Sequence, residues 1–386
     1  MFSDNRFRLV ILVVAVAMAG VAIFAIFHSN PGNNGAAGTS TAAPAAIATN
    51  TPPLAATSPT ILGSIQPLND ALKQLMAAAS GDDSRRILAG LRAYLLSLPK
   101  SVASRLIEQF LDGKRDASTK LAFTIQKNGF LSDAPSFRVF LLDLLAQIDP
   151  KAASQYAMQI LSTPGSPDEW AICLRNYALA GSSTGTQAYL ESKFLEMLAN
   201  SAWRSNPSVG YLEAFDTAVY THDTGLAPTL SQLMADKDNR AVAHAAYLTL
   251  DRLVISDPTA VLSQLEAQPD LMRGHELTRA DYFARADVAD QQQKALLESY
   301  LLDPNHSQQE LKTFAGLYPN ENYMISNNLL TQTQTPTYTD IVTRDRQALS
   351  AVQGWMGDPR FQTLQPQLQI MYNRLQMFVG QAASAH

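Results

Sequence analysis

The chain has 386 residues, with 29 basic and 34 acidic side chains and a net charge of −5, so it lacks the basic excess expected of a nucleic-acid binder. One cysteine excludes intramolecular disulfides and thiolate-cluster metal sites, and six histidines leave little material for metal or acid–base chemistry. Charged residues make up 16%, well below the usual ~25%.

Residues 1–8 carry Asp4, Arg6 and Arg8, the only formal charges before Asp70. Leu9–Phe27 is a run of 19 residues whose one departure from apolar and alanine character is Gly20. As a helix it would be about 28 Å long, close to the ~30 Å hydrocarbon core of a bilayer. A secretory h-region is shorter and ends at a small-x-small site, whereas this run ends Ala25-Ile26-Phe27-His28. The pattern predicts an uncleaved, single-pass signal anchor at 9–27, with the lipid bilayer as its partner. Arg6 and Arg8 precede it, and no Lys or Arg follows until Lys73. The positive-inside rule then puts residues 1–8 in the cytoplasm and the rest in the periplasm or outside the cell, at an inner or plasma membrane. Residues 28–64 are dominated by Pro, Gly, Ala, Ser, Thr and Asn and carry no Asp, Glu, Lys or Arg. Such a tract cannot bury enough apolar surface to offset ordering its backbone, and it reads as a flexible linker with a span of ~30 Å as a coil.

From residue 65 to 386 the apolar period is helical. Leu68, Leu72, Leu75 and Met76 share one face, and Ile87, Leu88, Leu91, Tyr94, Leu95 and Leu98 share the next. Asp82, Asp83 and Ser84 offer cap oxygens to that second helix, and Pro99 ends it. Further stripes are Phe137/Phe140/Leu141/Leu144/Leu145/Ile148, Trp170/Cys173/Leu174/Tyr177 and Tyr211/Leu212/Phe215/Val219. Val242/Ala246/Leu250/Leu253, Leu311/Phe314/Ala315 and Leu349/Val352/Trp355/Met356 complete the series. The pattern predicts about eighteen helices of 10–20 residues. The best strand candidate is Leu121–Leu131, where Asn128-Gly129 suits a hairpin turn and equally suits a helix end.

One punctuation mark recurs. Asp149-Pro150, Asn206-Pro207, Asp257-Pro258, Asp303-Pro304 and Asp358-Pro359 follow one another at 46 to 57 residues. Asp or Asn caps a helix start and Pro suits its first position. Segments such as LLDLLAQIDPKAASQYAMQIL and LDRLVISDPTAVLSQL resemble divergent HEAT- or TPR-like repeats. That resemblance implies an all-α fold, an α-solenoid of antiparallel helix pairs. The alternative is an irregular all-α globular domain.

Chemical motifs are sparse. Gly181–Gln187 has neither dinucleotide nor Walker spacing, and no GxSxG elbow occurs. His275-Glu276-Leu277-Thr278-Arg279 lacks the second histidine of a zinc protease. His222, His244 and His306 are isolated, and a histidine such as His244 reads as a core or groove residue. Cys173 lies on an apolar face and reads as a buried thiol. Asp236–Arg240 lacks the glycine and bidentate acid of a calcium loop. Asn305-His306-Ser307 is a formal glycosylation sequon. Glu191-Ser192-Lys193-Phe194 is similar to the catalytic dipeptide of soluble lytic transglycosylases, which would make Glu191 a general acid; the family's downstream Gly-Leu-Met-Gln segment is absent.

These readings point away from an enzyme, a metal site or a cofactor, and toward a membrane-tethered extracytoplasmic helical-repeat scaffold or assembly factor. Its expected partner is a protein, a peptide or an envelope polymer, with no nucleic acid. A structural subunit of a membrane-associated oligomer and a polysaccharide-cleaving enzyme acting through Glu191 are the alternatives. Tyrosine joins apolar area to a polar tip and is enriched at interfaces, so Tyr211, Tyr220, Tyr247, Tyr282, Tyr300 and Tyr318 are the expected interaction surface.

Overall fold

The computed structural model describes residues 63–179, 181 and 183–384. The expected anchor at 9–27 and all but the last two residues of the linker lie outside this range. Among the described residues no helix is long and apolar enough to cross a membrane.

The fold is all-α. The first layers are α1 (Gln66–Ala77), α2 (Gly81–Ser97) and α3 (Lys100–Asp112). Leu68, Leu72 and Leu75 are buried as their period demands, but Met76 is exposed. The cap of α2 is Ser80, one turn earlier than Asp82–Ser84 suggested: its side chain accepts from the Asp83 N–H and the Asp83 carboxylate returns to the Ser80 N–H. This reciprocal box satisfies two otherwise unpaired donors.

The segment Leu121–Leu131 resolves in favour of the hairpin. Strands β1 (Thr124–Ile125) and β2 (Leu131–Asp133) pair antiparallel. Gly129 has φ +78° and turns the chain between them, a conformation that glycine adopts without a Cβ penalty.

Next come α4 (Phe137–Ile148), α5 (Pro150–Leu161) and α6 (Pro167–Leu179). Ten consecutive residues of α4, from Phe137 to Ala146, are buried. A helix buried all round belongs at the centre of the stack. It packs on α3, α5 and α6, and α6 in turn packs on α5, α7 (Thr184–Ala199) and α9 (Val209–Glu213). Between those last two lies α8 (Ser201–Ser205), and after them come α10 (Asp216–Tyr220) and α11 (Ala227–Met234). The stripe Tyr211/Leu212/Phe215/Val219 was expected to be one helix; it is two helices of 5 residues each, α9 and α10, broken at Ala214-Phe215.

The second half holds α12 (Arg240–Ser256), α13 (Pro258–Ala267), α14 (Glu276–Phe283), α15 (Gln291–Leu302) and α16 (Gln308–Leu317). The chain closes with α17 (Tyr338–Gly357) and α18 (Gln365–Ser384). Packing runs mostly between elements near in sequence: α11 on α12, α12 on α13, α13 on α15, α14 on α16, and α17 on α18. The Pro punctuation is partly realised. Pro150 and Pro258 open α5 and α13, and Pro359 opens a 3₁₀ turn. Asn206-Pro207 and Asp303-Pro304 instead lie in connections, because Ser208 and Ser307 cap the helices that follow.

Several charges are buried inside this fold as ion pairs. Arg175 and Asp143 are each 1% exposed and lie 2.6 Å apart. Arg175 Nη1 also donates to Gly129 O at 2.8 Å. Asp143 accepts from the Leu131 N–H at 3.0 Å and from Gln147 at 2.7 Å. The pair therefore joins α4, α6, the hairpin turn at Gly129 and the start of β2. Asp143→Ala strands a buried guanidinium and costs about 3–5 kcal/mol; thermal and urea unfolding should show a drop in midpoint of several degrees, and an unchanged midpoint would contradict the assignment.

Candidate functional site

After α16 the chain runs without regular structure from Pro319 to Thr337, the cap of α17. This strap is tied along its length to distant elements by main-chain and side-chain hydrogen bonds. The Asn320 N–H donates to Ala284 O at 2.8 Å, and Arg285 Nη1 donates to Asn322 O at 2.8 Å. Asn327 Nδ2 then reaches Ile125 O at 3.0 Å, and Gln332 Nε2 reaches Lys127 O at 3.2 Å. An isolated bridge between Asn327 and Gln332 closes the reverse turn. At its tip Leu329 is buried, and a Cβ on Gly129 would stand 2.5 Å from Leu329 O. Glycine at 129 therefore serves both the hairpin turn and the close approach of the strap.

Asp216, the first residue of α10, receives the strap. Its Oδ2 accepts the consecutive N–H groups of Leu330 at 2.6 Å and Thr331 at 2.9 Å. Arg252 of α12 closes on the same carboxylate at 2.9 Å and donates to the Thr331 hydroxyl. Short α9 and α10 make this possible: their break sets Asp216 at the start of a new helix, facing the strap.

Between α9–α10, α12 and the strap lies a cleft of about 790 Å³. Its apolar walls are Leu212, Phe215, Val219, Ala245, Leu248 and Ile255; Tyr220, His222, His244, Tyr323 and Thr331 also line it. His222 Nδ1 lies 2.8 Å from Asp257 Oδ2. Asp251 lies on α12 beside Arg285 Nε at 2.8 Å, and burial pushes its carboxyl up to about 6 against the pull of that guanidinium. Glu213 differs from both of these acids. Among the described residues it has no hydrogen-bond partner. Burial, reinforced by the Asp216 carboxylate and opposed by Arg252, pushes its carboxyl up to about 7.

The sequence-expected tyrosine surface is not a surface. Tyr211, Tyr282, Tyr300 and Tyr318 are each 0% exposed. Tyr300 stacks on Phe283 at 4.3 Å and donates to Glu310 at 3.1 Å. Tyr318 stacks on Phe314, and Tyr282 stacks on Tyr247 and donates to its carbonyl. Tyr211 meets Phe215 edge-on. Packed helices bury more than one face, so large side chains at helical spacing become core. The Tyr282 and Tyr300 hydroxyls have internal acceptors, while those of Tyr211 and Tyr318 have none among the described residues. Tyr220 and Tyr247 are half-buried, and of the six only Tyr220 lines the cleft.

The other sequence candidates are dispersed. Cys173 is fully buried and burial drives its thiol far up, consistent with an inert core residue. Glu191 is half-buried on α7 and does not line the cleft; burial, with a contribution from Asp223, raises its carboxyl. His244 is a groove residue on the cleft wall. His306 is enclosed by Arg279, Glu310 and Tyr300, while Asn305 beside it is exposed.

Glu213, Asp216, Arg252 and the strap escaped the sequence reading. A signal for the strap was present: residues 319–337 are Asn-, Thr- and Gln-rich without a helical period, and connections longer than about 12–15 residues in a compact body are usually functional. Compared with known protein families, curated proteins and solved structures, the chain matches none.

The Glu213 shift predicts a pH effect. Its folded value lies above the ordinary glutamate range, so the folded state holds the proton longer than the unfolded state. Stability from this group is therefore full at low pH and is lost as pH rises from about 4.5 through about 7. Glu213→Gln should flatten that slope and raise stability at pH 8 by about 1–2 kcal/mol after solvent screening; urea unfolding at pH 5 and pH 8 measures both.

Proposed function

We propose that this protein is a membrane-tethered binding scaffold whose helical body, an irregular α-solenoid, captures an extended polypeptide in the cleft beside Glu213. One observation carries the reading. The body already grips a turn of its own chain there through main-chain groups. The Asp216 carboxylate takes the consecutive N–H groups of Leu330 and Thr331 inside the Asn327–Gln332 reverse turn, and outside the cleft Arg285 takes the Asn322 carbonyl of the same strap. Main-chain recognition of an extended segment is a recurring mode of peptide capture. The space left beside the strap, about 790 Å³, falls within the range of ligand pockets, ~300–1,000 Å³. The sequential packing of helices supports the solenoid reading, since each layer covers its neighbour. The apolar run Leu9–Phe27 behind Arg6 and Arg8, followed by the uncharged linker at 28–64, supports a body held on the far side of the membrane from the cytoplasm. The mechanism is binding, with no chemical step.

Two measurements test this. The full chain, immobilised and exposed to a random dodecapeptide phage library, should enrich binders. Leu248→Trp, which places an indole into the cleft from its half-buried wall position, should lose them while keeping its melting temperature. Equal enrichment on both proteins would remove the cleft from the reading. For the tether, alkaline carbonate should leave the full chain in the membrane pellet and release a chain beginning at residue 63; release of both would sink it.

A further inference from the structure

The charges around the cleft do not pair off. Three acids line it: Glu213, Asp216 and Asp251. Asp216 has Arg252, at 2.9 Å, and Asp251 has Arg285, at 2.8 Å. Among the described residues Glu213 has no hydrogen-bond donor or ion pair, and the Arg252 guanidinium, engaged by Asp216, only partly offsets the effect of burial on its carboxyl. The strap does not provide one, because residues 319–337 contain no Lys, Arg or His. A half-buried carboxylate without a donor is left partly desolvated, and a ligand that brings a positive charge to it offsets that cost.

We propose that the cleft selects its polypeptide by one lysine or arginine side chain, whose charged head pairs with the Glu213 carboxylate while its aliphatic stem lies along the apolar wall. This inference rests on the polypeptide-binding reading and adds the chemistry of the residue recognised. Lysine and arginine suit a cleft of this kind because their methylene stems bury on apolar surface while the head seeks charge. Phe215, Val219 and Leu248 offer that surface, and Tyr220 and Tyr323 offer aromatic faces that attract cations. The strap occupies Asp216, which leaves Glu213 as the cleft acid without a partner among the described residues.

The groups facing Glu213 set the pH behaviour. Asp216 on α10 and Arg252 on α12 are mutually paired. Asp251 on α12 is held by Arg285. His222 after α10 and His244 on α12 line the same cleft and repel a cation whenever they are protonated. Tyr323 is the titratable cleft residue from the strap. Because the Glu213 carboxyl is raised to about 7, affinity for a cation grows as pH climbs through neutrality.

The test uses the full chain in lipid nanodiscs and three fluorescent undecapeptide pools with randomised flanks, whose central residue is fixed as lysine, norleucine or glutamate. Anisotropy should show the lysine pool binding at least tenfold tighter than the norleucine pool at pH 8, with the glutamate pool weakest. In Glu213→Gln the lysine and norleucine pools should agree within twofold, and the affinity change between pH 6 and pH 8 should shrink. A His222→Gln/His244→Gln variant should keep both the lysine preference and a pH dependence centred near 7. Equal binding of lysine and norleucine by the unaltered chain, lost in Leu248→Trp, would overturn the charge selection and leave the polypeptide reading standing. A lysine preference that survives Glu213→Gln would overturn the assignment to this carboxylate. Displacement of the lysine pool by equimolar spermidine or calcium would give the cleft to a free cation and overturn it as well. No binding by any pool would overturn both readings.

Discussion

Asp143 and Arg175 meet at 2.6 Å in a place water does not reach, and the working half of the molecule is assembled outward from that contact. The guanidinium holds Gly129 O and the carboxylate holds the Leu131 N–H, so a hairpin too short to be stable alone is fixed to two buried helices. Arg175 also lies over the Phe130 ring at 4.8 Å, closing the hairpin tip from the inside. The hairpin then presents Ile125 O and Lys127 O to the strap from more than 200 residues away in sequence. The strap, so positioned, brings Leu330 and Thr331 to Asp216 and forms one wall of the cleft. Buried charge at the centre is thereby converted into the shape of a site on the far helices.

Related ties recur through the stack. Arg138–Glu169, Arg175–Asp143, Arg285–Asp251 and Arg279–Glu310 each join residues 31 to 34 apart, every one buried. That separation is close to the length of one helix pair, so each tie joins helices distant in sequence. Pairs of this kind contribute little net stability over apolar residues of the same volume, because both charges are desolvated. Mismatching them is costly, which makes them suited to setting the order in which layers dock. The arginine fork strengthens the effect, since Arg138 and Arg279 each engage both oxygens of their glutamate.

The aromatic residues do a different job from the one their type suggests. From Phe283 through Tyr300, Phe314, Tyr318 and Trp355 to Phe361, ring follows ring at 4.3 to 6.3 Å. This row lies inside the C-terminal layers, where offset and tilted ring pairs add to the apolar burial. Within it the Tyr300 hydroxyl donates to Glu310. The surface near the cleft is left to Glu213, His222, His244 and a strap of Asn, Thr and Gln, whose recognition chemistry is hydrogen bonding and charge.

What the sequence determined by itself was local. Leu68/Leu72/Leu75 and Val242/Ala246/Leu250/Leu253 announce buried helical faces because hydrophobic period is written residue by residue. Asp149-Pro150 announces the start of α5 because a cap is a contact across three residues. Asn128-Gly129 left hairpin and helix end equally open, and only the buried pair beyond it chose the hairpin. Tertiary structure alone decided which tyrosines are core, that α9 and α10 break apart, and that among the described residues Glu213 lacks a hydrogen-bond partner while Asp216 and Asp251 have one. Those outcomes depend on distances between residues tens to hundreds of positions apart, and an isolated helix carries no record of which charge its neighbour will bring to its face.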